Sequence, residues 1–172
     1  ASSCAPSRGG MSYTATYSGG YESYYVDVGQ YYRVPERDVI IIRDRRIPDD
    51  EIPVVLFIAQ RARVSPVAVC DMRLRGESWM DISLHFGLGP EVYYVPVSQV
   101  YGDSYEQVYT YYREKPRTEW RSIRLSDDDV VNVVNLRFVS EHQGYDAPQV
   151  MKMRSEGKSF MNMGLSLARR KP

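Results

Sequence analysis

Apolar and polar positions run in the same order twice along this chain. Val64 to Gly76 reads VSPVAVCDMRLRG, and 81 residues on Tyr145 to Gly157 reads YDAPQVMKMRSEG; SWMDI follows the first and SFMNM the second. Ser65/Asp146, Val69/Val150, Met72/Met153, Arg73/Arg154, Gly76/Gly157, Ser78/Ser159 and Trp79/Phe160 fall in register. A cap residue, an apolar face, a basic last turn and a terminating Gly predict a short helix in each copy. Ser78 and Ser159 then cap a further helix, which in the first copy runs to about Phe86. Upstream, IPVVLFIA (Ile52 to Ala59) fits either a buried strand or a helix. Its counterpart decides for helix: Ser126-Asp127-Asp128-Asp129 is a capping-box pattern, and Val130, Val133, Val134 and Phe138 share one helical face. The second copy carries three extra residues here. Each repeat is thus expected to hold three helices of roughly 12, 10 and 9 residues, each too short to be stable alone.

The stretches outside the repeats have another character. Fourteen of the fifteen tyrosines lie before the first repeat or between the two. The first 20 residues, rich in Gly, Ser and Tyr, are expected to be largely disordered. Tyr24 to Val28 and Val39 to Arg43 favour extended structure through their aromatic and β-branched residues, with Pro35 between them. Val92 to Val97 reads as extended around Pro96. Ser104 with Gln107 caps a helix from Tyr105 to about Lys115, stopped by Pro116. The expected organisation is a flexible or extended Tyr-Gly-rich arm (1–46), repeat one (47–88), a Tyr-rich linker with one helix (89–124), repeat two (125–168) and a basic tail (169–172). The fold class is mainly α: two three-helix repeats packed as one domain, with a linking helix and a partly extended arm.

Charge removes whole classes of partner. Lys plus Arg and Asp plus Glu both number 22; residues 1–46 carry six basic and five acidic groups, 89–124 five of each, and 125–172 leans basic at seven against six. No global field therefore favours nucleic acid or an anionic membrane. No stretch approaches the roughly 20 apolar residues of a membrane span. The start, ASSCAPS, reads equally as a mature chain after signal cleavage or as an end chosen when the chain was trimmed. Ser2-Ser3-Cys4 faintly resembles a lipoprotein site with Cys4 as the lipidated residue, although Ala1 stands where that pattern has Leu. Cys70 aligns with Met151 on an apolar helix face and reads as a buried hydrophobe.

Candidate chemistry is sparse. Ile82 to Leu88 has the spacing of the first helix and turn of a helix-turn-helix, but GPEVYYVP follows with no basic side chain. The acidic triplets Asp49-Asp50-Glu51 and Asp127-Asp128-Asp129 read as helix caps, since consecutive carboxylates point different ways. His85 and His142 lack partners at metal spacing. No nucleophile–base set, phosphate loop or dinucleotide fingerprint stands out, and no cofactor or metal is expected. Arg73 and Arg154 share a position and are candidates to bind an anion, beside their plainer role at helix C-termini. Exposed tyrosines suit glycan or protein recognition, and Tyr93, Tyr94 and Tyr101 are the candidates, although Tyr105, Tyr109 and Tyr112 have the spacing of one packed helix face.

The run IPDDEIPVVLFIAQRARVSPVAVCDMRLRGESWMDISLHFGLGPEVYYVPV, with RLSDDDVVNVVNLRF and MRSEGKSF, resembles an uncharacterised family of exported bacterial proteins over about residues 47–168. The resemblance implies export and a duplicated helical plan, and carries no catalytic residues. The sequence reading is therefore a non-catalytic exported protein of the periplasm or outer envelope, binding a protein or an envelope glycan, with no nucleic acid expected and a membrane only through a lipid on Cys4. A helix-turn-helix-like DNA-associated regulator is the alternative, and an enzyme with a site between the repeats is a weaker one.

Overall fold

The computed structural model describes residues 19–163, and every regular element among them is helical. The α-helices are α1 (Gly19–Tyr32), α2 (Glu36–Asp44), α3 (Ile52–Ala62), α4 (Pro66–Leu74), α5 (Trp79–His85), α6 (Asp103–Glu114), α7 (Asp127–Gln143) and α8 (Ala147–Ser155). Turns of 3-10 helix at Asp49–Glu51, Pro90–Tyr93 and Arg117–Ser122 join them. The mainly helical class read from caps and periodicity is the class the chain adopts.

Two inner helices, α3 and α7, pack against each other and carry the rest. Ile52 through Ala59 are all buried, which is why the run has no polar face and reads ambiguously as sequence. Pro53 sits in the first turn, where its missing N–H costs nothing. At the start of α7 the Ser126 hydroxyl accepts from Asp129 N at 3.1 Å, and the Asp129 carboxylate accepts from Ser126 N at 2.9 Å. Around this pair, α4 lies on α3, α8 and α6 on α7, and α1 touches α2, α3 and α7.

The N-terminal segment differs from expectation. Tyr24 to Val28 and Val39 to Arg43 are not extended: they belong to α1 and α2. Tyr24, Tyr25, Val28 and Tyr32 form a buried stripe at helical spacing, and Val39 and Ile42 are buried one turn apart while Ile41 faces out. Tertiary burial overrides the β preference of VIIIR because a helix turns Val39 and Ile42 to one side, whereas a strand would split them across two faces. Residues 1–18, including Cys4, and the tail at 169–172 lie outside the described residues. Within the linker, Val92 begins in a 3-10 turn and residues 94–97 hold no regular element, while α6 starts at Asp103, two residues before Tyr105.

What recurs in the structure is a helix pair, and it occurs three times. A long helix ends in a left-handed residue (Arg33, Arg63, Gly144; φ 55, 57 and 73°). A helix of nine residues follows (α2, α4, α8), then a second left-handed residue (Arg46, Gly76, Gly157; φ 64, 89 and 85°). Val39, Val69 and Val150 hold the same place in the short helix, each at 0 % exposure. Arg43, Arg73 and Arg154 stand four residues on from these valines. The first pair is 30 residues ahead of the second, the third 81 behind it. Arg46 sits where the other copies use Gly, and its Cβ crowds the backbone at positive φ at a cost of roughly 1 kcal/mol. Arg46→Gly is therefore expected to raise the urea midpoint, with a gain of about 0.5–1 kcal/mol, and Gly76→Arg to lower it by a similar amount.

Candidate functional site

The two arginines that the sequence pairs sit in equivalent corners that are finished differently. Arg73, in the last turn of α4, donates from Nε and Nη2 to the two carboxylate oxygens of Glu51 at 3.0 and 2.7 Å. Its Nη1 donates to Asp127 Oδ2 at 2.7 Å and to the Glu77 carbonyl at 3.1 Å. The guanidinium lies 4.6 Å from the centre of the Trp79 ring, and Asp127 Oδ1 accepts from Trp79 N at 2.8 Å. The hydrogen bond that Arg73 donates to Glu51 is the main cause that pushes the Arg73 pKa up, with Asp127 adding to it against the cost of burial. Bidentate geometry and two carboxylates make this corner electrostatically complete.

Arg154 repeats half of that arrangement. Its guanidinium lies 4.6 Å from the Phe160 ring, and Nη1 donates to the Lys158 carbonyl at 3.4 Å, matching Trp79 and Glu77 at an offset of 81. The same offset carries Glu51 to Asn132, whose Oδ1 accepts from Arg154 Nε at 3.4 Å. A neutral amide thus stands where the carboxylate stands on Arg73. In the helix-cap register Asp127 corresponds to Asp49, and Asp49 Oδ1 instead accepts from the Tyr25 hydroxyl at 2.6 Å. Among the described residues Arg154 forms no ion pair, and its Nη2 has no hydrogen-bond partner.

Space opens on both sides of this arginine. A cavity of about 270 Å³ lies toward Asp103, Tyr105, Asp128 and Asn132, and another of about 280 Å³ lies toward Tyr24, Asp49, Ser159 and Phe160. Asp50 and Arg154 line both, so the two cavities adjoin at these residues and make a groove on either side of them. Gly102 shapes one wall: at φ 83° it turns the chain into α6, and a Cβ there would come within 3.0 Å of Ser155. Burial is the main cause that raises the Asp50 carboxyl above its usual pKa; the Glu51 charge adds to this and Arg154 only partly offsets it.

The other sequence candidates are dispersed. Tyr93 is interior, stacked on Phe57 at 5.2 Å with its hydroxyl 2.5 Å from Ser83 Oγ. Tyr94 packs half-buried among Tyr109, Tyr112 and Trp120. Tyr101 is half-buried, donating to Gln99, with Lys152 Nζ 4.3 Å from its ring centre. Tyr105, Tyr109 and Tyr112 are buried on one face of α6 and donate to the carbonyls of Asn132, Val95 and Pro90, so their spacing reflects packing. His142 stacks on Phe138, 3.4 Å from Asp27, while His85 lies against Phe86. Cys70 is a buried free thiol, its pKa pushed up to about 11 by burial. After Gly89 comes a four-residue 3-10 turn ending in the buried Tyr93, so no recognition helix follows α5. Among the described residues no three His, Cys, Asp or Glu side chains cluster at a metal-binding spacing, and no helix is long and apolar enough to cross a membrane.

Of the groove residues, the sequence reads Asp50 and Asp128 only as helix caps and does not single out Asn132 or Asp103. The cap alignment pairs Glu51 with Asp129, and only counting 22 residues back from each arginine sets Glu51 beside Asn132 as a loss of charge opposite a retained arginine. Comparisons with family models, curated proteins and solved structures give no match.

Proposed function

We propose that the chain is a non-catalytic binding protein that holds a carboxylate-bearing component of the bacterial envelope in the groove at Arg154. The observation behind this reading is a guanidinium without a carboxylate: the same side chain in the same place on α4 takes a bidentate carboxylate, and on α8 it keeps only two long hydrogen bonds to neutral oxygens and borders open space. An Arg fork in a partly desolvated groove matches a carboxylate in both shape and charge. This moves recognition away from the tyrosines, most of which, among the residues whose side chains are described, are buried, and onto α8 and the start of α3. The envelope location is carried by the sequence resemblance alone, and fractionating cells that express the full gene product tests it.

The binding part is tested by titrating the ¹⁵N-labelled protein with a panel of acetate, succinate, alanine and N-acetylalanine. Amide shifts confined to residues around 102–105, 132 and 154, and lost in Arg154→Gln, are the expected result; a panel that moves none of them overturns the reading. Asp50 offers a second check. Its folded pKa is raised, so the folded chain holds that proton more tightly than the unfolded chain. Stability therefore falls as pH rises from the unfolded value through the folded one. Asp50→Asn removes this penalty and is expected to raise the melting temperature at pH 7, with no such gain at a pH below both values.

A further inference from the structure

The groove around Arg154 is not a simple anion site. Asp50 sits at its centre, Asp103 and Asp128 on one rim, and Asp49 at the far side, against a single arginine. Glu51 also lines it, but its charge is matched by Arg73. Asp50, Asp103 and Asp128 have no ion-pair partner among the described residues. A ligand carrying only negative charge would meet Arg154 and be repelled by the carboxylates around it. A ligand carrying only positive charge would leave the Arg154 fork unfilled and bring a like charge beside it. The arrangement satisfies both halves only when the guest carries an anion and a cation close together.

We propose that the groove binds a zwitterionic α-amino acid group, with its carboxylate on Arg154 and its ammonium at Asp50, in the cavity that Asp103 and Asp128 also line. This rests on the reading of Arg154 as a carboxylate anchor and adds the second charge. Each of the two cavities, near 270 and 280 Å³, has room for a group of that size and a modest side chain. Asp50 lines both cavities together with Arg154, so one small guest reaches the two charges at once. The raised pKa of Asp50, caused mainly by burial, fits the same picture, because an ammonium brought to it would favour the ionised carboxylate and offset that cost. The Arg73 corner is the internal control. There the protein supplies its own carboxylates, and the same stacked guanidinium is closed to any guest.

Calorimetry and amide-shift titration of the intact chain test this with four probes: D- and L-alanine, which carry both charges; N-acetylalanine, which keeps the carboxylate; and alanine methyl ester, which keeps the ammonium. Alanine of at least one hand is expected to bind at least tenfold tighter than either blocked form, and to do so less well as pH falls through the Asp50 titration. N-acetylalanine binding as tightly as alanine would overturn the zwitterion while leaving Arg154 as a carboxylate anchor. The methyl ester binding as tightly as alanine, or no probe binding at all, would overturn both. Asn132→Asp supplies an independent variant: it places a carboxylate on Arg154 as Glu51 does on Arg73, so alanine binding is expected to fall at least tenfold with the fold intact. Unchanged binding in Asn132→Asp, together with unchanged binding in Arg154→Gln, would also remove the proposal.

Discussion

A chain cut to residues 47–172 is expected not to fold. The excised part holds Tyr24, Tyr25, Val28, Tyr32, Val39 and Ile42, all buried against α3, α4 and α7 or against one another. At about 1.5–3 kcal/mol for each buried side chain, their loss is on the order of 10 kcal/mol, as large as the whole stability of a typical domain. Polar ties go with them: the hydroxyl of Tyr24 donates to the Asp49 carbonyl at 3.2 Å and that of Tyr25 to the Asp49 carboxylate. Far-UV circular dichroism of the fragment during heating should show no cooperative transition. A fragment melting cooperatively near the temperature of the full chain would mean that α1 and α2 are a separate arm after all. Val28→Asp, which forces a charge into a site at 0 % exposure, is a milder version of the same experiment.

The second large effect separates two arginines that look alike. Arg73→Ala leaves Glu51 and Asp127 facing each other without the cation between them, and Glu51 is only 14 % exposed. Removing one member of a largely buried ion pair costs about 3 kcal/mol, and the Trp79 ring also loses its cation. Arg154→Ala breaks two long hydrogen bonds and one ring contact, which contribute less than about 1 kcal/mol together. Urea denaturation of both variants measures the difference. Equal losses would show that the two corners do the same structural work, and the contrast on which the groove rests would fail.

The helical class was readable because caps are local. Ser65-Pro66, Ser78 with Asp81 N, and the Ser126–Asp129 box act within one turn, and each appears in the structure where the residues place it. The first helix pair was not read because two substitutions disguise it. Arg46 replaces the glycine that ends the other short helices, and Ile40, Ile41 and Ile42 give it a β-branched run. Arg33-Val34-Pro35 beside Arg63-Val64-Ser65-Pro66, and Arg43-x-Arg45 beside Arg73-x-Arg75, are the traces that a comparison at an offset of 30 finds. The site was half legible. Arg73 and Arg154 were paired by position, but their difference depends on partners about 22 residues upstream and on Asp49 being drawn to Tyr25, a contact no linear pattern contains.

The Trp79–Arg73 and Phe160–Arg154 corners also predict what selection sees in a cell. A lost Arg73 would raise the unfolded fraction, and quality control would register it as a fall in the amount of protein. A lost Arg154 would leave that amount nearly unchanged and would register only where the groove is used. Steady-state abundance in strains carrying each change therefore sorts the two copies into one held by folding and one free to answer to a ligand.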